Sequence, residues 1–563
     1  MEKDFDQFSA NGNSLYLCVL SGLLLGLSVP CFSFAPLGFL AWAWIVPLLF
    51  ELKQIDRFLP FLGRALIAVG IGFSMITLWV VNASLYGFLA SALMGTVVWT
   101  VPLIWFYFVH RFLNWNIALV SLPFFWTAWE WIYHQTAFSF GAVRLGYTQA
   151  DLIWLIQYAD ITGVEGVTFW LVAVNVAVYL LFEKLRETAA VMPNFTRRKL
   201  SRVAPEAIST LILFALPLGY AAFVFFKPQP LEKEITVLAV QPNVSPLGDY
   251  SPRNLPNIFG KQLALTDKRL KNSAAPDLIL WNEVAVPFIL SENEAANNHL
   301  AKQIKKWNAP VLTGLIETKN YAQDEPRPPL LVAQNRYQEF FNAAALFQPA
   351  EIENGKLPID LSAMYLKRRL MPFLEFVPFS DRFPLVADLM IPIGTRPRLS
   401  FGDAAKTFDL RTKNAGTVKI GAMICYENLY PEMSADLVRN GAQVLAAITN
   451  EGFFAGSQGQ YQLAAFGRFR AIETRRSVLR AAATGMTGAF DRFGRVTAAV
   501  PMWSEQTLMM TAALSDEQTI YVRRGNFFPQ ICALVVLLLT LAAVWRNIYR
   551  TPIEMKFAGA VNR

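Results

Sequence analysis

"VKIGAMICYEN", Val418 to Asn428, is the stretch on which the reading of this chain turns. It is a nearly unbroken apolar run, which marks a strand covered on both faces, unlike the alternation of a half-solvated one. It ends in a thiol, Cys425, followed by Tyr426 and Glu427 at the start of a turn. The same pattern recurs at "EITVLAVQPN" (234–243), "DLILWNE" (277–283), "APVLTGLIE" (309–317) and "AQVLAAITN" (442–450). Between these runs lie helix-like stretches such as "NIFGKQLALTDKRLK", "NEAANNHLAKQIKKW" and "YQLAAFGRFRAIETRRS". Buried strands alternating with amphipathic helices predict a layered α/β fold for residues 227–527, and about 300 residues are enough for one large core.

The flanks of this segment have another character. The chain of 563 residues is 54% hydrophobic and only 16% charged, with 15 Trp and 44 Phe. That balance predicts a polytopic α-helical membrane protein with an aqueous domain attached. Apolar runs long enough to cross a bilayer fall at about 14–33, 37–51, 62–83, 86–109, 116–134, 163–183, 207–226 and 528–546. The organisation expected is a membrane part of seven helices over 1–226, the α/β domain over 227–527, and a final span with its tail over 528–563. A signal peptide is disfavoured for the first run, because Glu2, Asp4 and Asp6 outweigh Lys3 before it.

Charge orients the spans. With both termini in the cytoplasm, the inner segments hold Lys53, Arg57, Arg64, Arg111, Lys184, Arg186, Arg197, Arg198, Lys199, Arg202, Arg546, Arg550, Lys556 and Arg563, against Arg144 alone in the short outer ones. Lysine and arginine in short loops mark the cytoplasmic side, so the α/β domain is expected in the periplasm of a bacterial inner membrane. The net charge of +8 forms no binding stripe, which removes the case for nucleic acid.

Of four cysteines, Cys18, Cys31 and Cys532 fall in or beside spans, where cysteine is usually an apolar filler. Cys425 stands alone in an exported domain, at the carboxyl end of a strand, where open α/β folds collect their catalytic groups. The plain alternative is a core cysteine. A reactive thiol needs a base, yet the chain has three histidines: His110 and His134 at span ends, and His299 in a polar helical run. That scarcity also argues against a metal site. Carboxylates and lysines remain: Glu283 directly after the strand "LILWN", Lys367 after an apolar patch, and Glu375 between bulky apolar residues. Glu130, in "WTAWEWIY", is an ionisable group near the outer end of a span, a functional candidate by default unless it is interfacial.

Glutamate at a strand end, then "YLK", then "CYE", in that order, resembles the nitrilase superfamily. With the apolar spans around it, the chain resembles the apolipoprotein N-acyltransferase family in particular. The motifs that carry this are "WNEVAVPF" (281–288), "YLKRRLMPFLEFVPF" (365–379), "ICYENLYPE" (424–432) and "RFGRV" (492–496). The resemblance implies an αββα sandwich outside the membrane, with Glu283 as general base, Lys367 as oxyanion stabiliser and Cys425 as nucleophile. It implies further pocket or supporting roles for Glu375, Tyr426, Glu427, Asn450 and Glu451, and a lid for Phe453 and Phe454, although aromatic pairs are more often core. The implied reaction moves an acyl chain from a membrane phospholipid, through a Cys425 thioester, to the α-amine of the diacylglyceryl-cysteine of an apolipoprotein. It needs no cofactor and no metal, and a monomer suffices. The chain departs from the family pattern at Arg369, where histidine is common, at Leu374, where glycine is, and at Glu451 and Phe453, where Asp and Trp are. The alternative is a membrane-tethered amidase of the same superfamily, in which water resolves the thioester. A transporter or receptor would carry more charge within the spans.

Overall fold

The structure is a computed structural model that describes residues 15–30, 37–191, 197–228, 232–246, 249–321, 332–333, 336–380, 382–383, 385 and 398–560. Its membrane part contains helices α1 (Tyr16–Leu27), α2 (Val46–Leu52), α3 (Phe58–Thr77), α4 (Leu85–Phe112), α5 (Trp115–His134), α6 (Ala159–Val191) and α7 (Arg197–Phe226), and α13 (Phe527–Ala560) closes the chain. Among the described residues five helical segments are long and apolar enough to cross a membrane: Phe58–Asn82, Leu85–Phe112, Ala159–Val191, Ser201–Phe226 and Phe527–Asn547.

The eight apolar runs are therefore not eight equal spans. At 12 residues α1 is about 18 Å long, well short of a hydrocarbon core of about 30 Å. The second run divides into a 3-10 turn, Leu37–Trp42, and the seven residues of α2, with Pro47 in the first turn. Helix α5 has 20 residues but carries Glu130 and His134 in its last turns. Glu130 is fully buried, accepting from Leu145 N at 2.8 Å, Trp126 Nε1 at 3.0 Å and Thr168 Oγ1 at 2.8 Å. It ties α5 to the loop after it and to α6.

The segment between α7 and α13 holds two stacked sheets. The first has the order β13–β1–β2–β3–β5–β4, with β6 also on β5; it uses β1 (Glu234–Gln241), β2 (Leu278–Leu280), β3 (Val311–Tyr321), β4 (Val332–Ala333), β5 (Arg336–Phe347), β6 (Tyr365–Leu366) and β13 (Gln506–Ala513). The second runs β12–β11–β10–β9–β8–β7, from β7 (Thr407–Arg411), β8 (Thr417–Ile424), β9 (Val444–Thr449), β10 (Val478–Ala482), β11 (Gly488–Phe490) and β12 (Val496–Ala499). Strands β1, β2 and β3 are parallel neighbours, and so are β8, β9 and β10. Buried side chains of both sheets, including Val237, Leu280, Ala422 and Ile448, form one core between them. Helices α8 (Leu255–Leu270) and α9 (Glu294–Trp307) cover the outer face of the first sheet. Helices α10 (Pro431–Arg439) and α11 (Gln458–Thr474) cover the second, and a short α12 (Ile520–Arg524) follows β13. The sandwich is αββα, as expected.

Helix α11 is buried nearly all round, because membrane helices instead of water cover the face it turns away from the sheet. Tyr426, Tyr430, Phe466 and Phe469 belong to the same apolar core as the helices of the membrane part. Tyr147 stacks on Phe466 with ring centroids 4.2 Å apart. Polar ties accompany the packing: Val164 N donates to Glu473 Oε1 at 3.0 Å, and Arg475 Nη2 pairs with Asp160 Oδ2 at 2.7 Å. The contact occurs where α6 breaks at Gly163, whose φ of 71° and ψ of −177° suit only glycine.

Candidate active site

Cys425 caps β8 and opens a short 3-10 turn, Cys425–Leu429. Its φ of 49° is left-handed, a sparsely populated region for a non-glycine residue that the surrounding structure must hold in place. Glu427 does much of that holding. It is fully buried; Oε2 accepts from Ile424 N at 2.8 Å, and Oε1 from Tyr365 Oη and Arg368 N, both at 2.7 Å. One carboxylate thus links the elbow that bears Cys425 to the segment that bears Lys367. Burial raises the Glu427 pKa, opposed by those hydrogen bonds.

Glu283 lies three residues beyond the end of β2, and the next residue, Val284, has a φ of 51°. The loop lies against β3 at Gly314, where a Cβ would meet Val284 N at 2.6 Å and Glu283 Cα at 2.7 Å, so only glycine permits this approach. Lys367 follows β6, its backbone N–H on Asn342 O at 2.8 Å. Its Nζ is 3.2 Å from Glu283 Oε1 and 2.8 Å from Glu375 Oε1. Asn342, on β5, donates its Nδ2 to the same two oxygens at 2.7 and 3.2 Å. Asn450 N, after β9, donates to Glu283 Oε2 at 2.9 Å, and Met371 N to Glu375 Oε2 at 2.7 Å. Both carboxylates are therefore fixed at both oxygens.

Charge balance follows from this geometry. Burial opposes the Lys367 ammonium, but Glu283, Glu375 and Cys425 outweigh it and hold its pKa above the ordinary lysine value. Burial also raises the Cys425 thiol above its ordinary value, Glu283 adds to the rise, and Lys367 opposes it. The arrangement holds Lys367 toward its ammonium form and Cys425 toward its neutral thiol. Such a site needs a base at the moment of attack.

The space around Cys425 is small, about 40 Å³. It is walled by Glu283, Lys367, Glu375, Met371, Leu374, Tyr426, Phe453 and Phe454, and by Trp79, Phe140 and Ala142 of the membrane part. Phe454 packs edge-on against Trp79 at 4.3 Å, and its carbonyl accepts from Asn82 Nδ2 at 3.1 Å. Phe453 and Phe454 are thus buried wall residues.

Glu283, Lys367, Cys425, Glu375, Tyr426, Phe453 and Phe454 come together at this cavity. Glu427 and Glu451 lie behind it. Glu451 is fully buried beside Arg480, with which it forms an ion pair, and accepts from Thr449 Oγ1 at 3.3 Å. Asn450 reaches the site through its backbone, while its side chain donates to Tyr250 Oη at 3.2 Å. The Tyr426 hydroxyl points the other way, donating to Ser139 O at 2.9 Å and accepting from Gly141 N at 3.0 Å. His299 sits on the exposed face of α9, away from the site. Asn342 went unread in the sequence; its signal was a single amide inside the apolar strand "FFNAAALF".

Comparison with known families bears directly on this arrangement. The carbon-nitrogen hydrolase family matches residues 239–521, and the apolipoprotein N-acyltransferase N-terminal domain matches residues 21–177. An apolipoprotein N-acyltransferase of Chlorobaculum tepidum is 33% identical over 537 residues, covering 94% of this chain and 97% of the relative. The chain belongs to the apolipoprotein N-acyltransferase family. Relatives of the same name in Geobacter metallireducens, 28% identical over 92% of both chains, and Thermotoga maritima, 26% identical over 92% of this chain and 91% of the relative, match along most of their length. An acyltransferase with a nitrilase-superfamily domain and a bacterial membrane part is the class to which the site belongs.

Proposed function

We propose that this protein transfers a fatty acyl chain from a membrane phospholipid to the α-amine of the diacylglyceryl-cysteine that begins an apolipoprotein, by way of a thioester on Cys425. The supporting observation is the composition of the cavity wall: Trp79, Phe140 and Ala142 of the membrane part share one cavity with Cys425, Glu283 and Lys367. A site for water-soluble amides has no use for such a wall. The domains divide at about 226 and 527, the α/β part is periplasmic with both termini cytoplasmic, and a monomer carries the whole site.

In the first half-reaction Glu283 takes the Cys425 proton as the sulfur attacks the ester carbonyl carbon. The oxyanion forms against the Lys367 ammonium and the backbone N–H of Tyr426. The carbon–oxygen bond then breaks, Glu283 returns the proton to the glycerol oxygen, and a lysophospholipid leaves. In the second, the α-amine attacks the thioester, Glu283 accepts an amine proton, and the carbon–sulfur bond breaks. That proton passes to the departing sulfur, so the resting thiol is restored. Glu375 and Asn342 keep Lys367 and Glu283 aimed throughout, and Phe453 and Phe454 close over the chain.

The test incubates the purified protein with phospholipid bearing a labelled acyl chain. Wild type should acquire a hydroxylamine-sensitive label that Cys425→Ala lacks, and a diacylated lipopeptide should collect it on its amine. A label independent of Cys425 overturns the mechanism. Release as free acid in the presence of the lipopeptide favours the amidase-type hydrolase.

A further inference from the structure

Strands β8 and β9 end side by side. Their last paired residues are Ile424 and Ile448, so the next two, Cys425 and Thr449, leave the sheet as neighbours. On its other side Thr449 pairs in register with Ala482 of β10. Thr449 is buried, with 1% of its surface exposed. The transfer reaction proposed above makes no use of its hydroxyl.

That hydroxyl has two partners. It is hydrogen-bonded to the Cys425 side chain, and it lies 3.3 Å from Glu451 Oε1. A hydroxyl has one hydrogen to give and two lone pairs with which to accept, so it cannot donate to both at once. The state of the sulfur decides between them. A neutral thiol carries its own hydrogen and donates it to Thr449 Oγ1, and the hydroxyl hydrogen then goes to the Glu451 carboxylate. A negative sulfur has no hydrogen, and the hydroxyl hydrogen turns toward it about the Cβ–Oγ1 bond. Glu451 tolerates that loss because it stays paired with Arg480 of β10, which is itself held by donating Nε to Met486 O at 2.9 Å. Gly485 leaves room for this carboxylate, since a Cβ there would collide with Glu451 Oε2. Burial, Glu283 and Glu451 oppose negative charge on the sulfur, while Lys367 and the Thr449 hydroxyl favour it. Lys367 is shared with Glu283 and Glu375, and Glu427 is occupied by Ile424 N, Tyr365 Oη and Arg368 N.

We propose that Thr449 donates its hydroxyl hydrogen to the Cys425 sulfur whenever that sulfur carries negative charge, as it attacks the ester and again as it leaves the thioester. The inference rests on Cys425 as the acyl carrier and adds a side chain that acts on the reacting atom itself. No covalent bond to Thr449 forms or breaks, and Glu283 still takes and returns the proton. Between the two half-reactions the thioester sulfur is uncharged, and the hydroxyl hydrogen goes back to Glu451.

The test is alkylation of the full-length protein by iodoacetamide at a series of pH values, followed on the peptide that contains Cys425; it reads the charged sulfur without any acyl transfer. Thr449→Val keeps the shape of the side chain and removes the hydroxyl. Its alkylation rate up to pH 9 should be about tenfold lower than that of wild type, a displacement of the profile by about one pH unit, which is the low end for a hydrogen bond to a charged group. Thr449→Ser should keep the wild-type profile. Acylation of Cys425 by phospholipid with a labelled chain should fall by a similar factor in T449V and recover in T449S. A valine profile that superimposes on wild type overturns the proposal. An equal loss in the serine variant overturns it too, because the methyl group and its packing would then be the cause. A displaced profile with an unaltered acylation rate confines Thr449 to the resting thiol and removes it from the reaction. Thr449→Ala gives the same reading if the valine variant fails to fold. Absence of label on wild-type Cys425 instead overturns the transfer reaction, a result that the alkylation profiles do not depend on.

Discussion

At the scale of residues, the site withholds charge from the Cys425 thiol. The Cys425 thiol is raised above the ordinary 9.0 by burial and by Glu283, with Lys367 only partly offsetting them. Alkylation of the resting protein by iodoacetamide is therefore expected to climb steadily with pH and reach no plateau below about pH 9. A plateau near neutrality would mean a preformed thiolate and would sink this account. Glu283, Lys367 and Cys425 were legible as candidates for a shared physical reason: each stands at or within three residues of the end of an apolar strand, and a charged or reactive group there is conspicuous. Asn342 was not, because an amide inside a strand reads as an edge residue until the fold shows two carboxylates opposite it. Arg480 was hidden in the same way, within a fully buried strand and paired with Glu451.

At the scale of elements, the junction of α6 with α11 is the part most exposed to test. A Cβ at Gly163 would meet the Tyr521 ring at 2.7 Å and Glu165 Oε2 at 2.9 Å, in addition to the forbidden backbone angles. Gly163→Ala should cost about 1–3 kcal/mol, read as a lower thermal unfolding midpoint in detergent. Glu473 in the same junction has its pKa pushed up to about 8 by burial, with Arg470 opposing and Glu165 adding. The unfolded carboxyl loses its proton near 4.5. Between those values the folded state binds more protons, so stability falls as pH rises from about 5 to 8. Glu473→Gln should flatten that slope in unfolding midpoints measured across the range, and an unaltered slope would remove Glu473 as its source. Apolar runs located the membrane elements well, whereas their lengths did not survive. Tyr16–Leu27, Leu37–Trp42 and Val46–Leu52 are two short helices and a 3-10 turn where the hydropathy reads as two long runs.

At the scale of the molecule, the sandwich and the membrane part share a core, so the thiol is not carried on a tethered, independent domain. The layered α/β class was readable from buried strands alternating with helices. The docking was not, because Tyr147, Phe466 and Phe469 look in sequence like ordinary core residues of separate parts. The clearest link is the loop after α5. Its Ser139 carbonyl and Gly141 amide bond the hydroxyl of Tyr426, the residue next to Cys425, and Tyr430 donates to the same carbonyl at 3.2 Å. Helices α4 and α6, which pack on α5 and are long enough to span, can tilt when the surrounding bilayer is thinner or thicker than their apolar length, a response known as hydrophobic mismatch. Passed through α5 and two tyrosine hydroxyls, that tilt reaches the turn that bears Cys425. The rate of Cys425 acylation should accordingly pass through an optimum as the protein is reconstituted in bilayers of increasing thickness, with the same labelled donor in each. The membrane would then set the tuning of the catalyst as well as its location.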